Sequence, residues 1–206
     1  MGEQVDIHRR ILSANSTGEL MSVYDNWSED YDKVLTEQWG YNSPQMAADL
    51  LAASIACDSI SVLDAGCGTG LVGPCLKNLG AGELIGIDYS SGMLEQARAK
   101  QVYTSLLRMD LNQQLDIPSD SFDAATCVGT FTSAHVQPKA VGELVRLVRP
   151  GGKVVFTVRD DYWKATNFID LLVDLHKQGL AAIEQIRLEP YILSEGSECR
   201  FVVLGV

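Results

Sequence analysis

The sequence is poor in positive charge. Its 206 residues include 16 lysines and arginines against 27 aspartates and glutamates, which gives a formal net charge of −11 at pH 7. Nucleic-acid binding depends on lysine and arginine side chains that neutralise phosphates. The charge balance therefore disfavours a nucleic-acid partner and favours a small molecule or a basic surface, although acidity alone also serves solubility.

Cysteine, histidine and long hydrophobic runs are equally scarce. The five cysteines form no C-x-x-C pair and no cluster with the three histidines, so no metal site is predicted. Most of the cysteines stand in apolar stretches, where a free thiol acts as a small hydrophobic group in a reducing compartment. No segment approaches the roughly 20 apolar residues that span a bilayer, and no secretory signal opens the chain. We expect a cytoplasmic protein without membrane contact.

Length and composition predict a single domain over residues 1–206, because 46% of the residues are apolar and the charges are spread along the chain. We expect residues 1–42 to form an N-terminal arm. Within it Tyr24, Trp27 and Tyr31 recur on one face of a predicted helix. This face either packs on the sheet as ordinary core or closes over a ligand as a lid, and the sequence leaves both interpretations open.

Strand and helix patterns alternate through the rest of the chain. Strands are predicted at residues 59–64, 83–87, 105–109, 122–129 and 153–158, with helices starting near Pro44, Val72, Met93, Lys139 and Leu171. Residues 183–190 and 200–206 predict a terminal antiparallel hairpin. The order predicts an α/β fold with a doubly wound, mostly parallel seven-stranded sheet and a terminal antiparallel strand.

The most informative motif is the turn after the first predicted strand. Asp64 ends that strand, and Gly66, Gly68 and Gly70 follow at alternate positions. Glycines let a ligand lie directly against the main chain. The spacing differs from the G-x-G-x-x-G of dinucleotide sites, and a carboxylate ahead of the loop suits an ammonium group better than a diphosphate. We expect the Asp64 charge to point into the ligand crevice.

Acids also end the next two predicted strands, at Asp88 and Asp110. The carboxyl ends of parallel strands meet at one crevice. Three carboxylates there can accept hydrogen bonds from an ammonium, a ribose and an exocyclic amine of one extended ligand. For each aspartate the alternative is that it caps its own loop.

In combination these motifs resemble class I S-adenosylmethionine-dependent methyltransferases, through residues 64–70, 86–88, 109–111, 122–123 and 149–152. The resemblance covers about the middle two thirds of the chain. It implies a Rossmann-like methyltransferase fold, S-adenosylmethionine as the cofactor and S-adenosylhomocysteine as the product. The segment 24–32 also resembles the methyltransferase-like proteins associated with the Williams-Beuren syndrome chromosomal region, a match that does not name the methyl acceptor.

The class I resemblance also implies roles for individual residues. Asp64 and the glycine loop would hold the methionine part of the cofactor, and Asp88 would bind the ribose hydroxyls. Under the lid interpretation, Tyr24 and Tyr31 also contact the cofactor. The other implied cofactor-binding residues are Cys67 in the loop, Tyr89 and Met93 beside the adenine, Asp110 and Leu111 at its amino group, and Cys127, Val128, Gly129 and Thr130 near the sulfonium.

Methyl transfer from a sulfonium needs a fixed approach line and a dry site but no dedicated base. An acceptor hydroxyl or ammonium must still lose a proton, and His135 follows the fourth predicted strand, where substrate-facing residues are expected. His135 is therefore the catalytic candidate. The alternative is that it bonds to the start of the next helix. Tyr24 and Tyr31 are further candidates from the arm, and Arg159 could bind a substrate carboxylate.

The methyl acceptor is not defined by sequence. The Asn-Pro-Pro-Tyr-type motif of enzymes that methylate base or glutamine amino groups is absent after the fourth predicted strand, at residues 128–131. Together with the acidic charge, this favours a small-molecule acceptor, with a protein side chain as the main rival. A binding module without turnover and a nicotinamide-dependent oxidoreductase remain as alternative functions.

Overall fold

A computed structural model describes residues 32–132 and 136–206. The strands in this part of the chain are β1 (Ser61–Ala65), β2 (Glu83–Asp88), β3 (Ser105–Arg108), β4 (Phe122–Phe131), β5 (Val148–Arg159), β6 (Ala182–Pro190) and β7 (Glu198–Gly205). They form one seven-stranded sheet in the order β3-β2-β1-β4-β5-β7-β6. Neighbours from β3 to β5 pair in parallel, whereas β7 runs antiparallel to both β5 and β6. The predicted doubly wound, mostly parallel sheet is confirmed.

The α-helices are α1 (Ser43–Ser54), α2 (Val72–Asn78), α3 (Ser91–Ala99), α4 (Ala140–Leu147), α5 (Asp160–Ala165) and α6 (Phe168–Lys177). A π-helical turn at Val34–Gln38 precedes α1, and a 3-10 turn at Leu193–Glu195 joins β6 to β7. The short helix α5 was not predicted, because six residues that begin with two aspartates show no apolar period. Within residues 32–132 and 136–206, no helix is long and apolar enough to cross a membrane.

Helices cover both faces of the sheet, so the central strands are buried on both sides. Val62 of β1 faces the layer of α1 and α2, where it packs in one cluster with Leu51 and Leu76. The next residue, Leu63, belongs to a second cluster with Leu144 of α4 and its neighbours in α6. Strands that are buried on both faces appear in the sequence as continuous apolar runs.

Strand β5 is longer than predicted. The strand was predicted to begin at residue 153, yet β5 begins at Val148 and runs through Pro150-Gly151-Gly152. A Cβ added to Gly152 would lie 2.4 Å from the Asp123 carbonyl oxygen, and the Gly151 amide donates to the Val206 carbonyl over 2.6 Å. The glycines therefore allow close packing inside the sheet rather than ending it.

The predicted helix and lid face of the arm, with Tyr24, Trp27 and Tyr31, lie outside the described residues. Only the last part of the 1–42 segment is described. Its first described residue, Asp32, accepts hydrogen bonds from the Thr69 hydroxyl and the Lys100 ammonium. This end of the arm is thereby tied to the glycine loop and to the end of α3.

Candidate active site

A cleft lies at the carboxyl ends of β1, β2 and β4, where the strand order turns from one side of β1 to the other. Such switch points are the usual ligand sites of doubly wound sheets. The cleft holds about 1090 Å³ of empty space, including the part that opens to solvent. Eleven predicted cofactor-binding residues line it: Gly66, Cys67, Gly68, Asp88, Tyr89, Met93, Asp110, Leu111, Val128, Gly129 and Thr130.

The glycine loop exposes its main chain to the cleft. Gly68 has a φ of +55°, and a Cβ added to it would meet no atom within 4 Å. Gly66 is also left-handed, with a φ of +68°, but its added Cβ would lie 2.5 Å from the Thr130 hydroxyl oxygen. Gly66 therefore permits close contact with the end of β4, and Gly68 leaves its backbone open to a ligand.

Asp88 joins the glycine loop to the start of α3. Its Oδ2 accepts from the Gly68 amide over 2.9 Å, and its Oδ1 accepts from the Ser90 amide over 2.8 Å. Ser90 in turn caps α3, since its hydroxyl accepts from the Met93 amide at 3.1 Å. A carboxylate can accept about four hydrogen bonds, so Asp88 can also bind ligand hydroxyls from its place in the cleft wall.

The residues predicted beside the adenine lie next to Asp88. Met93 is almost fully buried, whereas the Tyr89 ring is exposed. The Arg108 guanidinium lies over this ring, 5.1 Å from its centroid. Asp110 caps its own loop by accepting from the Asn112 amide at 2.9 Å, as the alternative interpretation proposed. Asp110 nevertheless lines the cleft as well, so the two interpretations are compatible.

The orientation predicted for Asp64 is wrong. Its side chain does not line the cleft and is only 1% exposed. Oδ2 accepts from the Tyr103 hydroxyl over 2.6 Å, and Oδ1 accepts from the Thr126 hydroxyl over 3.1 Å. The physical reason is strand alternation, which turns Asp64 to the same face as Val62. Burial raises the pKa of Asp64 to about 6, although both hydrogen bonds oppose the rise.

The Tyr103 ring accounts for a second correction, at Gly70. A Cβ added to Gly70, Gly73 or Gly86 would lie 2.7–3.0 Å from this ring. Gly70 was predicted to bind the cofactor, yet it does not line the cleft and instead makes room for the tyrosine. Burial and the neighbouring Asp64 charge both raise the pKa of Tyr103, so its hydroxyl stays protonated and donates.

Cys127 was also predicted to bind the cofactor and does not reach the cleft. Its side chain is fully buried in the cluster beneath α4 and α6, and burial raises its pKa to about 12. Cys67 does line the cleft, with a pKa raised by burial and by the Asp64 and Asp88 charges. Neither thiol is therefore an activated nucleophile.

Three predicted functional residues, Tyr24, Tyr31 and His135, lie outside the described residues. Arg159, the candidate for a substrate carboxylate, pairs with Asp161 at 3.0 Å and does not line the cleft. In residues 32–132 and 136–206, no three histidine, cysteine or acidic side chains gather as metal ligands would.

Several lining residues were missed because no local motif marks them. Tyr41 and Tyr191 lie in edge-to-face contact, with ring centroids 5.3 Å apart. Leu35, Pro44 and Thr132 were also missed and line the cleft, whereas Thr130 lines it as the resemblance implied. Tyr41 precedes α1 and Tyr191 follows β6, so only the folded chain brings them together.

Comparisons with known proteins agree with this geometry. Residues 63–156 match the methyltransferase domain family. Human methyltransferase-like protein 27 is 35% identical over 164 residues, which cover 77% of this chain and 66% of the human protein. The ubiquinone biosynthesis O-methyltransferase of Alkalilimnicola ehrlichii is 34% identical over 100 residues, covering 47% of this chain and 40% of that protein. The chain thus spans 66% and 40% of the lengths of these two curated relatives.

Solved structures share the fold. The S-adenosylmethionine-dependent methyltransferase of Mesorhizobium loti has a TM-score of 0.60 at 21% identity and covers 76% of this chain and 95% of its own. Magnesium protoporphyrin IX methyltransferase of Synechocystis, solved with bound S-adenosylmethionine, has a TM-score of 0.61 at 18% identity. The match covers 98% of this chain and 90% of the Synechocystis chain. The resemblance found in the sequence motifs is confirmed: residues 63–156 match a methyltransferase domain, and the fold is the one that S-adenosylmethionine-dependent methyltransferases share.

Proposed function

We propose that this protein transfers the methyl group of S-adenosylmethionine to the oxygen of a small molecule. The observation that carries the proposal is the open backbone of Gly68 next to Asp88, at the switch point of the sheet. S-adenosylmethionine is the cofactor of this family, and it supplies an electrophilic methyl group on a positively charged sulfur.

The cleft residues fit the cofactor from one end to the other. In the proposal Asp88 accepts from the ribose hydroxyls, Tyr89 and Met93 contact the adenine, and Asp110 accepts from its amino group beside Leu111. Val128 and Gly129 at the end of β4 flank the reacting centre. Asp64 acts indirectly, because its carboxylate holds Tyr103 under the glycine loop.

The acceptor part of the proposal has separate support. The net charge of −11 does not suit a nucleic-acid acceptor. The Alkalilimnicola relative is named an O-methyltransferase of ubiquinone biosynthesis, which favours oxygen as the acceptor atom. His135 as a proton acceptor, and residues 1–42 as an arm and lid on a single domain, remain part of the proposal.

We also propose a cytoplasmic location without a membrane partner. All five cysteines are free, and Cys75 is the only one that is not buried. Free thiols of this kind are typical of a reducing compartment.

Calorimetric titration with S-adenosylhomocysteine and with NADH tests the cofactor assignment. We expect binding of the nucleoside only, with Asp88→Ala weakening it more than tenfold, because a charge-assisted hydrogen bond contributes about 1.5–3 kcal/mol. The matched control is Asp116→Ala, which removes an exposed carboxylate outside the cleft. Unchanged affinity in a folded Asp88→Ala protein would reject the ribose assignment.

Methyl transfer itself is tested with labelled S-adenosylmethionine, a metabolite extract and lysate proteins. Label in small-molecule products supports the proposal, and label confined to proteins contradicts the acceptor class. Cofactor binding without any transfer would instead identify a binding module.

A further inference from the structure

One part of the cleft wall is built from hydroxyl groups. Tyr41 and Tyr191 are 9% and 7% exposed, and a Cβ added to Gly129 would lie 2.6 Å from the Tyr41 hydroxyl and 3.5 Å from the Tyr191 hydroxyl. Both hydroxyls therefore converge over the end of β4. Thr130, which follows Gly129, also lines the cleft.

The glycine loop lies between Asp88 and this wall. Asp88 ends β2, and β2 and β4 flank β1 on opposite sides. A ligand that binds Asp88 with its ribose and crosses the glycine loop reaches Gly129 with its other end. The tyrosine pair is consequently next to the place where the proposed function puts the methyl acceptor.

Charge is unevenly distributed between the two ends. Among the described residues that line the cleft, the only acids are Asp88 and Asp110, both on the β2–β3 side, and no lysine, arginine or histidine lines it. Two arginines at the ends of β5 and β7 pair with carboxylates outside the cleft, Arg159 with Asp161 at 3.0 Å and Arg200 with Asp160 at 2.9 Å.

A buried ionic group needs a partner of opposite charge or several hydrogen bonds. The described wall around Tyr41 and Tyr191 offers neither a cation for a carboxylate or phosphate nor a carboxylate for an ammonium. It offers hydroxyls, which both donate and accept, and the apolar side chains of Leu35 and Pro44. The chemistry that matches such a wall is an uncharged hydroxyl group on an apolar body.

We propose that Tyr41 and Tyr191 form an acceptor subsite that selects a neutral phenol or alcohol. This inference rests on the proposed function and specifies its substrate class. In the reaction the acceptor oxygen forms a bond to the methyl carbon while the carbon–sulfur bond breaks, with its electron pair left on sulfur. The hydroxyl proton of the acceptor, taken up first by His135 in the proposed function, is finally released to bulk water, so the reaction needs no further reactant.

Three probes on one ring system test the charge selectivity: 2-naphthol, 2-naphthoate and 2-naphthylmethylammonium. Each is titrated into the full chain saturated with S-adenosylhomocysteine. We expect 2-naphthol to bind at least tenfold more tightly than either ion. Tyr41→Phe and Tyr191→Phe each weaken 2-naphthol binding about three- to tenfold, as expected for one lost hydrogen bond, and leave S-adenosylhomocysteine affinity unchanged.

The outcomes separate this inference from the proposed function. If S-adenosylhomocysteine binds but 2-naphthol shows no preference over the two ions, or does not bind, the acceptor class is overturned and the proposed function stands. If either phenylalanine variant loses S-adenosylhomocysteine affinity as strongly as 2-naphthol affinity, the tyrosines belong to the cofactor site and the inference fails. If S-adenosylhomocysteine does not bind at all, both fail.

Discussion

The Tyr103 hydroxyl donates a 2.6 Å hydrogen bond to the Asp64 carboxylate beneath the glycine loop. This contact joins the segment between α3 and β3 to the end of β1, and the Tyr103 ring fills the space over Gly70, Gly73 and Gly86. Asp64 therefore supports the glycine loop through the tyrosine, although it does not line the cleft itself. The glycine loop packs on a buried pair of polar side chains.

Replacing Tyr103 by phenylalanine tests this support. The change leaves the ring in place and removes one of the two hydroxyls that bond to the buried Asp64 carboxylate. We expect the free energy of unfolding to fall by about 1–3 kcal/mol, the cost of a buried acceptor that loses a donor. Denaturant unfolding measures this change, and calorimetry should show weaker S-adenosylhomocysteine binding.

The matched control for Tyr103→Phe is Tyr162→Phe. The Tyr162 hydroxyl donates to a neutral acceptor, the Val136 carbonyl, at 3.0 Å. Its loss should cost less than the loss of the Tyr103 hydroxyl. Equal effects of the two substitutions would contradict a special role for the Asp64 contact.

The buried Asp64 carboxyl should make stability depend on pH. Its pKa is about 6 in the folded protein, against an ordinary value of 3.8. Between these values the folded protein binds more protons than the unfolded chain, so the free energy of unfolding falls as pH rises from about 4 to about 6. The full change is on the order of 3 kcal/mol. Unfolding of wild type and Asp64→Asn at pH 4, 5, 6 and 7 measures it.

In that series Asp64→Asn should lack the Asp64 contribution. The free energy of unfolding of the variant minus that of wild type therefore rises with pH between about 4 and 6 and is constant above that range. A difference that is independent of pH from 4 to 7 would show that Asp64 keeps an ordinary pKa in the folded protein.

Two glycines inside helices should respond to alanine in opposite ways. A Cβ added to Gly73 of α2 would lie 2.7 Å from the Tyr103 ring, whereas one added to Gly142 of α4 meets no atom within 4 Å. Glycine in a helix costs roughly 0.5–1 kcal/mol relative to alanine. We expect Gly142→Ala to raise the free energy of unfolding and Gly73→Ala to lower it by about 1–3 kcal/mol through overpacking.

The same two substitutions should also differ in their effect on ligand affinity, because only one of them changes the packing of Tyr103. Gly73→Ala should also weaken S-adenosylhomocysteine binding, because it displaces Tyr103 from the glycine loop. Gly142→Ala should not change that affinity. If both variants raise the melting temperature, the space around Tyr103 is larger than the structure shows.

Asp32 gives a fourth test, of the contact between the arm and the loop. Asp32→Asn removes the charge that pairs with the Lys100 ammonium and weakens the contact with the Thr69 hydroxyl. The ion pair is partly exposed, so the free energy of unfolding should change by less than about 1 kcal/mol. We expect a several-fold loss of S-adenosylhomocysteine affinity by calorimetry, because Thr69 belongs to the glycine loop.

Glu184→Gln provides the control for that substitution. It removes the partner of Lys153 at the β5–β6 side of the sheet, outside the cleft. This variant should bind S-adenosylhomocysteine normally. Equal affinity of both variants and wild type would show that Asp32 does not support the loop.

The parts of the fold marked by local signals were predictable from sequence. β2 was predicted at 83–87 and spans Glu83–Asp88, because an apolar run there ends at an acid. The extent of β5 was missed, since the pairing that holds Gly151 and Gly152 in the sheet comes from distant residues. Turn-forming residues indicate a break only where no such pairing competes.

The site was predictable only where it follows the chain locally. The glycine loop and Asp88 occupy a strand-to-helix turn that the sequence itself displays. The direction of Asp64 was hidden because β1 is apolar on both faces, so no alternation of polar and apolar residues reveals which way its side chain turns. Tyr41, Tyr103 and Tyr191 come from separate segments, and only tertiary packing brings them to the cleft and its support.

The position of β7 orders the assembly of the protein during translation. β7 follows β6 in the chain but lies between β5 and β6, so β6 lacks its hydrogen-bonding neighbour until β7 has left the ribosome. Tyr191 stands in the connection between these two strands. On a ribosome that releases the N-terminal part first, Tyr41, the glycine loop and Asp88 all emerge before Tyr191, so the tyrosine pair is the last part of the cleft wall to be completed.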